Sequence, residues 1–132
     1  MNFEEHAGKP LLAGRGIAVP RGGLAKTPAE AAEIAARIGP VVVKAQAPTG
    51  KRGKAGGIKL AATPDEARTH AKAIIGMEIG GHRVEKVLIE EQMPIERELY
   101  AAVLNDPSSK GPLVMFSTEG GMDIEEVAAT AP

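Results

Sequence analysis

VVVKAQAPTGKRGKAGG, residues 41–57, continues into GIKLAA, residues 57–62. It reads as a strand, a basic glycine-rich loop and a return strand. Val41 to Val43 are β-branched, which suits a pleated, buried segment. Strand alternation puts Val41, Val43 and Ala45 on one side and Val42, Lys44 and Gln46 on the other. An ammonium on an apolar strand is costly to bury unpaired. Lys44 therefore suggests a face that lines a cleft holding an anion. The loop carries Lys51, Arg52 and Lys54 among Gly50, Gly53, Gly56 and Gly57. Glycines admit close approach of backbone to ligand, and consecutive N–H groups can form an anion nest. The simplest anion for such a loop is a polyphosphate. No Walker register fits, and no G-x-G-x-x-G occurs here. A solvated hairpin tip is the plain alternative. A nucleic-acid patch is a third reading, weakened because only Phe3, Tyr100 and Phe116 are available to stack bases.

The charge distribution supports the anion reading. The chain of 132 residues has a net charge of −1. Residues 34–64 nevertheless contain no Asp or Glu and six of the 16 basic residues: Arg37, Lys44, Lys51, Arg52, Lys54 and Lys59. Positive charge is concentrated around the loop. With 43% hydrophobic residues, one domain or part of one can bury a core. The absence of cysteine excludes disulfides, a thiol nucleophile and Cys-based zinc sites. No apolar run approaches the roughly 20 residues of a membrane span. The acidic N-terminus MNFEEHAGK has neither a signal-peptide core nor transit-peptide character, so a cytoplasmic location is expected.

Outward from the loop, Asn2 to Lys9 reads as a helix with Asn2 as cap and Glu5 at N3. Pro10 either breaks it or starts a short second one. Ile17 to Pro20 reads as an extended entry. Thr27-Pro28-Ala29-Glu30 and Thr63-Pro64-Asp65-Glu66 both offer a threonine cap, proline at N1 and glutamate at N3. They predict helices running to about Ile38 and Ile75. Gly80-Gly81-His82 reads as a turn, Val84 to Gln92 as a strand and Arg97 to Asn105 as a long strand. Asp106 to Gly111 is a hairpin loop leading to Leu113–Ser117. Asp123 caps a short acidic helix, Ile124 to Ala129. This order predicts an α+β fold of small antiparallel sheets with helices on them. Met93-Pro94 marks a division between two lobes with a ligand between them. The abrupt end at Pro132 suggests a fragment.

VVKAQ, RGKAGGIKL, VLIEEQ with ERELY, and FSTEGGMDIEEVA together resemble the ATP-grasp region of the β subunit of succinyl-CoA synthetase and of the related malate–CoA ligase. The likeness runs over essentially the whole chain. It implies an ATP-grasp fold, with a complete small lobe (18–86) and part of a larger lobe (1–17 and 87–132). It implies that Lys44 contacts the nucleotide phosphates and that Lys51, Arg52 and Gly53 form the loop over them. Glu90 and Met93 would lie at the adenine hinge, and Glu98 would accept hydrogen bonds from the ribose. The family usually has glycine where Lys51 stands; lysine adds charge toward the phosphates and stiffens the loop. Pro48 and Thr49 also replace the usual loop residues.

Plainer readings stand beside these. Lys44 could snorkel from a strand end, and Glu90 and Glu98 could be solvent-facing carboxylates. His6, His70 and His82 read as surface histidines. The resemblance further implies ATP or GTP with Mg²⁺, whose Asn and Asp ligands in the family lie beyond this chain. It implies a partner α subunit carrying the phosphorylated histidine, and neither a nucleic-acid nor a membrane partner. The expected function is the nucleotide-binding part of an acid–thiol ligase, inactive alone and without catalytic residues of its own. The alternative is a non-catalytic binding module. Apolar surface left open from Val87 onward is consistent with self-association.

Overall fold

The structure is a computed structural model that describes residues 2–120. In chain order the elements are α1 (Glu5–Ala13), β1 (Gly22–Ala25), α2 (Pro28–Ile38), β2 (Val41–Ala45), β3 (Ile58–Ala61) and α3 (Pro64–Ile74). They continue with β4 (Glu78–Ile79), β5 (His82–Arg83), β6 (Val87–Glu91), β7 (Tyr100–Asp106) and β8 (Gly111–Ser117). The chain divides into two compact units between Met93 and Pro94.

In the first unit a four-stranded sheet has the order β1-β6-β2-β3. All three pairings are antiparallel. β1 and β2, joined by α2, therefore run parallel to each other with β6 between them. Val87–Glu91, expected to begin a larger lobe, is instead a central strand of this sheet. The observed strand is shorter than the expected 84–92. His82 and Arg83 belong to a separate small hairpin whose turn is Gly80-Gly81, leaving Val84 buried between the two.

The sheet's two faces have different fates, as the alternation in β2 predicts. Val41, Val43 and Ala45 are buried with Ala25, Ala61, Val87 and Ile89 under α2 and α3. Both helices start as the sequence indicates. Thr27 caps α2 by accepting from the Glu30 amide at 3.2 Å, and the Glu30 carboxylate accepts from the Thr27 amide at 3.3 Å. Thr63 accepts from the Glu66 amide at 3.2 Å. Alanines 31, 35, 67 and 71 are almost fully buried. Small side chains at those positions let the two helices approach each other and the sheet. Ile74 and Ile89 fill the remaining space, each burial being worth about 2–3 kcal/mol.

α1 departs from the expected Asn2–Lys9. It starts at Glu5 after Glu4, which makes no side-chain cap bond, and it passes through Pro10 to Ala13. Its far end explains the continuation. The Gly16 amide donates to Ala13 at 3.0 Å and the Ile17 amide to Leu12 at 3.1 Å, a Schellman closure that satisfies the last carbonyls. Unlike α2 and α3, α1 contains no fully buried residue.

The second unit contains the β7–β8 hairpin, paired from Tyr100↔Ser117 to Asp106↔Gly111. Asp106 fixes its turn by accepting from the Ser108 and Ser109 amides at 3.0 and 3.2 Å. The strand begins at Tyr100, three residues later than expected. The predicted helix 124–129 lies outside the described residues. Among the described residues no helix is long and apolar enough to cross a membrane.

Candidate functional site

The sheet face away from α2 and α3 carries Gly22 and Leu24 of β1, Leu88 and Glu90 of β6, Val42 and Lys44 of β2, and Ile58 and Leu60 of β3. Register places Glu90 opposite both Gly22 and Val42, and Lys44 opposite Leu88. Glu90 and Lys44 are thus diagonal neighbours on adjacent strands, within reach of long side chains. Gly22 matters here: a Cβ on it would come within 3.0 Å of Glu90 Cγ and 2.5 Å of the Ile89 carbonyl.

The two side chains meet. Lys44 Nζ donates to Glu90 Oε1 at 2.8 Å. It also donates to Glu5 Oε1 on α1 at 3.0 Å. Lys9, one turn along α1, pairs with Glu5 at 2.9 Å and with the Glu90 carboxylate. Arg52 reaches back from the loop. One guanidinium nitrogen donates to Glu5 Oε2 at 2.8 Å and the other to the Ala45 carbonyl at 2.8 Å. Among the described residues three cations and two carboxylates thus share one cluster, an excess of one positive charge beside the glycine-rich loop.

Burial by itself pushes the Glu5 carboxyl up, but hydrogen bonds from Lys9, Lys44 and Arg52 outweigh it and hold the group at about 2. Burial likewise acts to lower Lys44, and the Glu90 and Glu5 carboxylates raise it above its ordinary value instead. Lys44 is fully charged at neutral pH.

The loop is folded on itself. The Ala55, Gly56 and Gly57 amides donate to the carbonyls of Lys51, Gly53 and Arg52 at 3.1, 3.0 and 2.8 Å. Gly57 closes it where no side chain fits: a Cβ would meet Ile79 Cδ1 at 2.8 Å and Ala45 Cβ at 2.9 Å. Lys51 stands at φ 61°, the left-handed region. That conformation favours glycine, the residue the resemblance leads one to expect there. A cavity of about 470 Å³ opens beside the loop, lined in part by Glu5, Thr49, Gly50 and Arg52. A second of about 360 Å³ lies between α1 and the sheet, bounded by Lys9, Pro20, Gly23, Leu24, Leu88 and Glu90.

A family model described as an ATP-grasp domain matches residues 2–132. The chain belongs to the ATP-grasp family. It is 53% identical over its whole length to the β subunit of an ADP-forming succinate–CoA ligase of Rubrobacter xylanophilus. It is 51% identical to the β subunit of a GDP-forming succinate–CoA ligase of Thermus thermophilus. In both cases it spans 35% of the relative's length. Among solved structures, a protein of Pyrococcus horikoshii Ot3 superposes with a TM-score of 0.79 at 29% identity, covering 96% of this chain and 55% of that one. A dinucleotide-forming acetyl-coenzyme A synthetase of Ca. Korarchaeum cryptofilum superposes at 0.75 with 31% identity, covering 88% and 53%.

Of the residues singled out in this ATP-grasp sequence, the structure brings Lys44, Arg52 and Glu90 together. Lys51 and Gly53 are exposed in the loop, and Met93 is 53% exposed at the end of the first unit. Glu98 is an exposed residue of the second unit, its carbonyl accepting from the Gly120 amide at 3.2 Å. Two plainer readings are corrected. Glu90 is only 2% exposed, so it is no solvent-facing carboxylate. Lys44 does not snorkel alone from a strand end, because two carboxylates hold it. His6 is also more than a surface residue: its backbone amide donates to Gln46 Oε1 at 2.9 Å and its ring Nδ1 lies 3.1 Å from the same oxygen.

Sequence reasoning missed Glu5 and Lys9 as site residues. Their i,i+4 spacing was an available signal, as was the lack of any acid in 34–64 to balance Lys44 and Arg52. Among the described residues no group of three or more His, Asp or Glu gathers into a metal-holding cluster.

Proposed function

We propose that this chain is the nucleotide-binding portion of an acyl-CoA ligase of the succinate–CoA or malate–CoA type. In that role it couples ATP/ADP phosphoryl transfer to acyl-CoA thioester chemistry within a larger assembly. One observation carries the reading. Lys44 from the sheet and Arg52 from the loop converge on a single carboxylate, Glu5, at 3.0 and 2.8 Å. Two cations that grip one pair of anionic oxygens beside a glycine-rich loop suit a phosphate group. The names of the relatives agree with the reading.

In this reading Lys44 and Arg52 neutralise phosphate charge, and Lys51 and Gly53 lend loop backbone over it. Glu90 positions Lys44 from below. Because Glu90 lies within the ladder between β1 and β2, the base edge falls to the backbone around Met93, just past the sheet. Glu98 receives the ribose hydroxyls. Residues 2–93, α1 included, would supply the smaller lobe, and the chain from Pro94 would begin the larger one. The nucleotide, as phosphate donor, would supply the phosphoryl group, and its phosphates would carry the Mg²⁺ whose charge offsets theirs. A partner α subunit supplies the histidine. The chain alone does not turn over. Relatives with both ADP-forming and GDP-forming names lie at similar identity, so ATP and GTP are both candidates.

The pairing of Lys44 and Arg52 with Glu5 also favours a second reading, a non-catalytic ATP-grasp-like module whose ion cluster is structural. Calorimetric titration with Mg-ATP separates the two. Saturable binding weakened by Lys44→Ala and by Glu98→Ala supports the nucleotide site. A well-folded chain that binds nothing supports the module. Acyl-CoA synthesis by the isolated chain would refute the claim that it is inactive alone.

A further inference from the structure

α1 differs from the other helices in what holds it. α2 and α3 are anchored by buried alanines and isoleucines, whereas no residue of α1 is fully buried. Its attachments are polar. Glu4 pairs with Lys86 at 2.9 Å, Glu5 with Lys44 and Arg52, His6 with Gln46, and Lys9 with Glu90. Leu11 and Leu12, which could have docked it, are 60% and 47% exposed. Polar, partly solvated attachments exchange for other ion pairs at little net cost, whereas a buried apolar stripe does not.

The attachment point is also the anion site. Both oxygens of Glu5 are engaged, Oε1 by Lys44 and Lys9 and Oε2 by Arg52. An incoming phosphate needs the same donors. The cavity beside Glu5 and Arg52, bounded by Ala47, Pro48, Thr49 and Gly50, gives it a place to arrive before the carboxylate leaves. We infer that α1 is a displaceable latch. The Glu5 carboxylate occupies the phosphate position of the resting chain, and binding of a polyphosphate to Lys44 and Arg52 proceeds by exchange with it and releases the helix. This inference rests on the nucleotide reading only for the identity of the ligand. Protonation is not the trigger, since Glu5 stays ionised down to about pH 2; a competing anion is.

The test uses the chain itself, which has no native cysteine to interfere with labelling. A spin-label pair at Leu12→Cys on α1 and Ala73→Cys on the exposed side of α3 reports helix release. Affinities for Mg-ATP and for inorganic tripolyphosphate are measured in wild type, Glu5→Gln, Glu5→Asp and Lys44→Ala. The expected result is about tenfold tighter binding by Glu5→Gln, near wild-type affinity for Glu5→Asp, which retains the charge, and a label separation that grows on saturation. Equal affinities of wild type and Glu5→Gln, with Lys44→Ala weaker, would overturn the latch and leave the nucleotide reading standing. Tight tripolyphosphate binding by Glu5→Gln without any preference for ATP would uphold the latch and overturn the nucleotide reading. An unchanged label distance at saturation would overturn the latch. No binding of either anion by folded wild type and Glu5→Gln would overturn both.

Discussion

Replacing Glu90 with glutamine tests whether the ion cluster holds the sheet as well as the site. Glutamine keeps the shape and deletes the charge. The Glu90 side chain is 3% exposed, while its partners Lys44 and Lys9 are 22% and 21% exposed. Breaking a fully buried pair costs about 3–5 kcal/mol, and breaking an exposed one about 0–1 kcal/mol. The lysines retain Glu5 and some water, so the expected cost lies between these limits, about 2–3 kcal/mol. That is a large share of the roughly 5–10 kcal/mol that holds a domain of this size together. Lys44→Met alone leaves Glu90 with Lys9 and costs less, about 1–2 kcal/mol. Because the two side chains touch, the double variant should lose about 1–2 kcal/mol less than the sum of the single losses. Urea unfolding followed by far-UV circular dichroism, with m unchanged, measures each leg. A Glu90→Gln variant within about 0.5 kcal/mol of wild type, or legs additive within about 0.5 kcal/mol, would refute the account of the cluster.

Acid unfolding tests Glu5. Its folded value, about 2, lies below its ordinary value of 4.5, so its contribution is present above pH 4.5 and is lost as pH falls from there toward 2. After allowance for solvent screening the loss is on the order of 1–2 kcal/mol, and Glu5→Gln should remove that slope from the stability–pH curve. A slope that persists in the variant contradicts the ion-pair assignment. Gly57→Ala should cost about 2 kcal/mol, because its methyl group would press on Ile79, Ala45 and the Arg52 carbonyl; a melting temperature equal to wild type's would show that the loop closes otherwise. At Lys51, with φ 61°, valine should cost about 1–2 kcal/mol while glycine costs nothing or stabilises slightly, and thermal melts that rank valine above glycine would contradict the left-handed backbone there.

Local chemistry was readable without the structure; distant pairings were not. The caps of α2 and α3 lie within four residues of sequence, and Thr27-Pro28-Ala29-Glu30 declares its helix unaided. The alternation of Val41, Val43 and Ala45 likewise announced its buried face. α1 was misplaced because Pro10 argues for a stop, and that local cost was overridden by the closure at Gly16 and Ile17 and by ion pairs to residues 39 and 47 positions away. Lys44 could be suspected, since an ammonium on an apolar strand needs a partner, but nothing in the sequence says which. Its partners come from α1 and β6, and their meeting depends on register and strand order. The burial of Glu90 was illegible for the same reason: its neighbours Gly22 and Val42 become neighbours only when β6 inserts.

That insertion bears on how the chain comes to be folded. Among the described residues β1 pairs only with β6, and β2 with β6 and β3, yet β6 is the last of the four strands to be synthesised. Until residue 91 has left the ribosome, β1 has no partner, and α2 and α3 cover a hairpin whose inner edge is open. A chain cut at Lys86 is therefore expected to be an unfolded, aggregation-prone intermediate rather than a smaller domain. Glu90, second to last in that strand, arrives with the closing step, so the charge cluster assembles only when the sheet does.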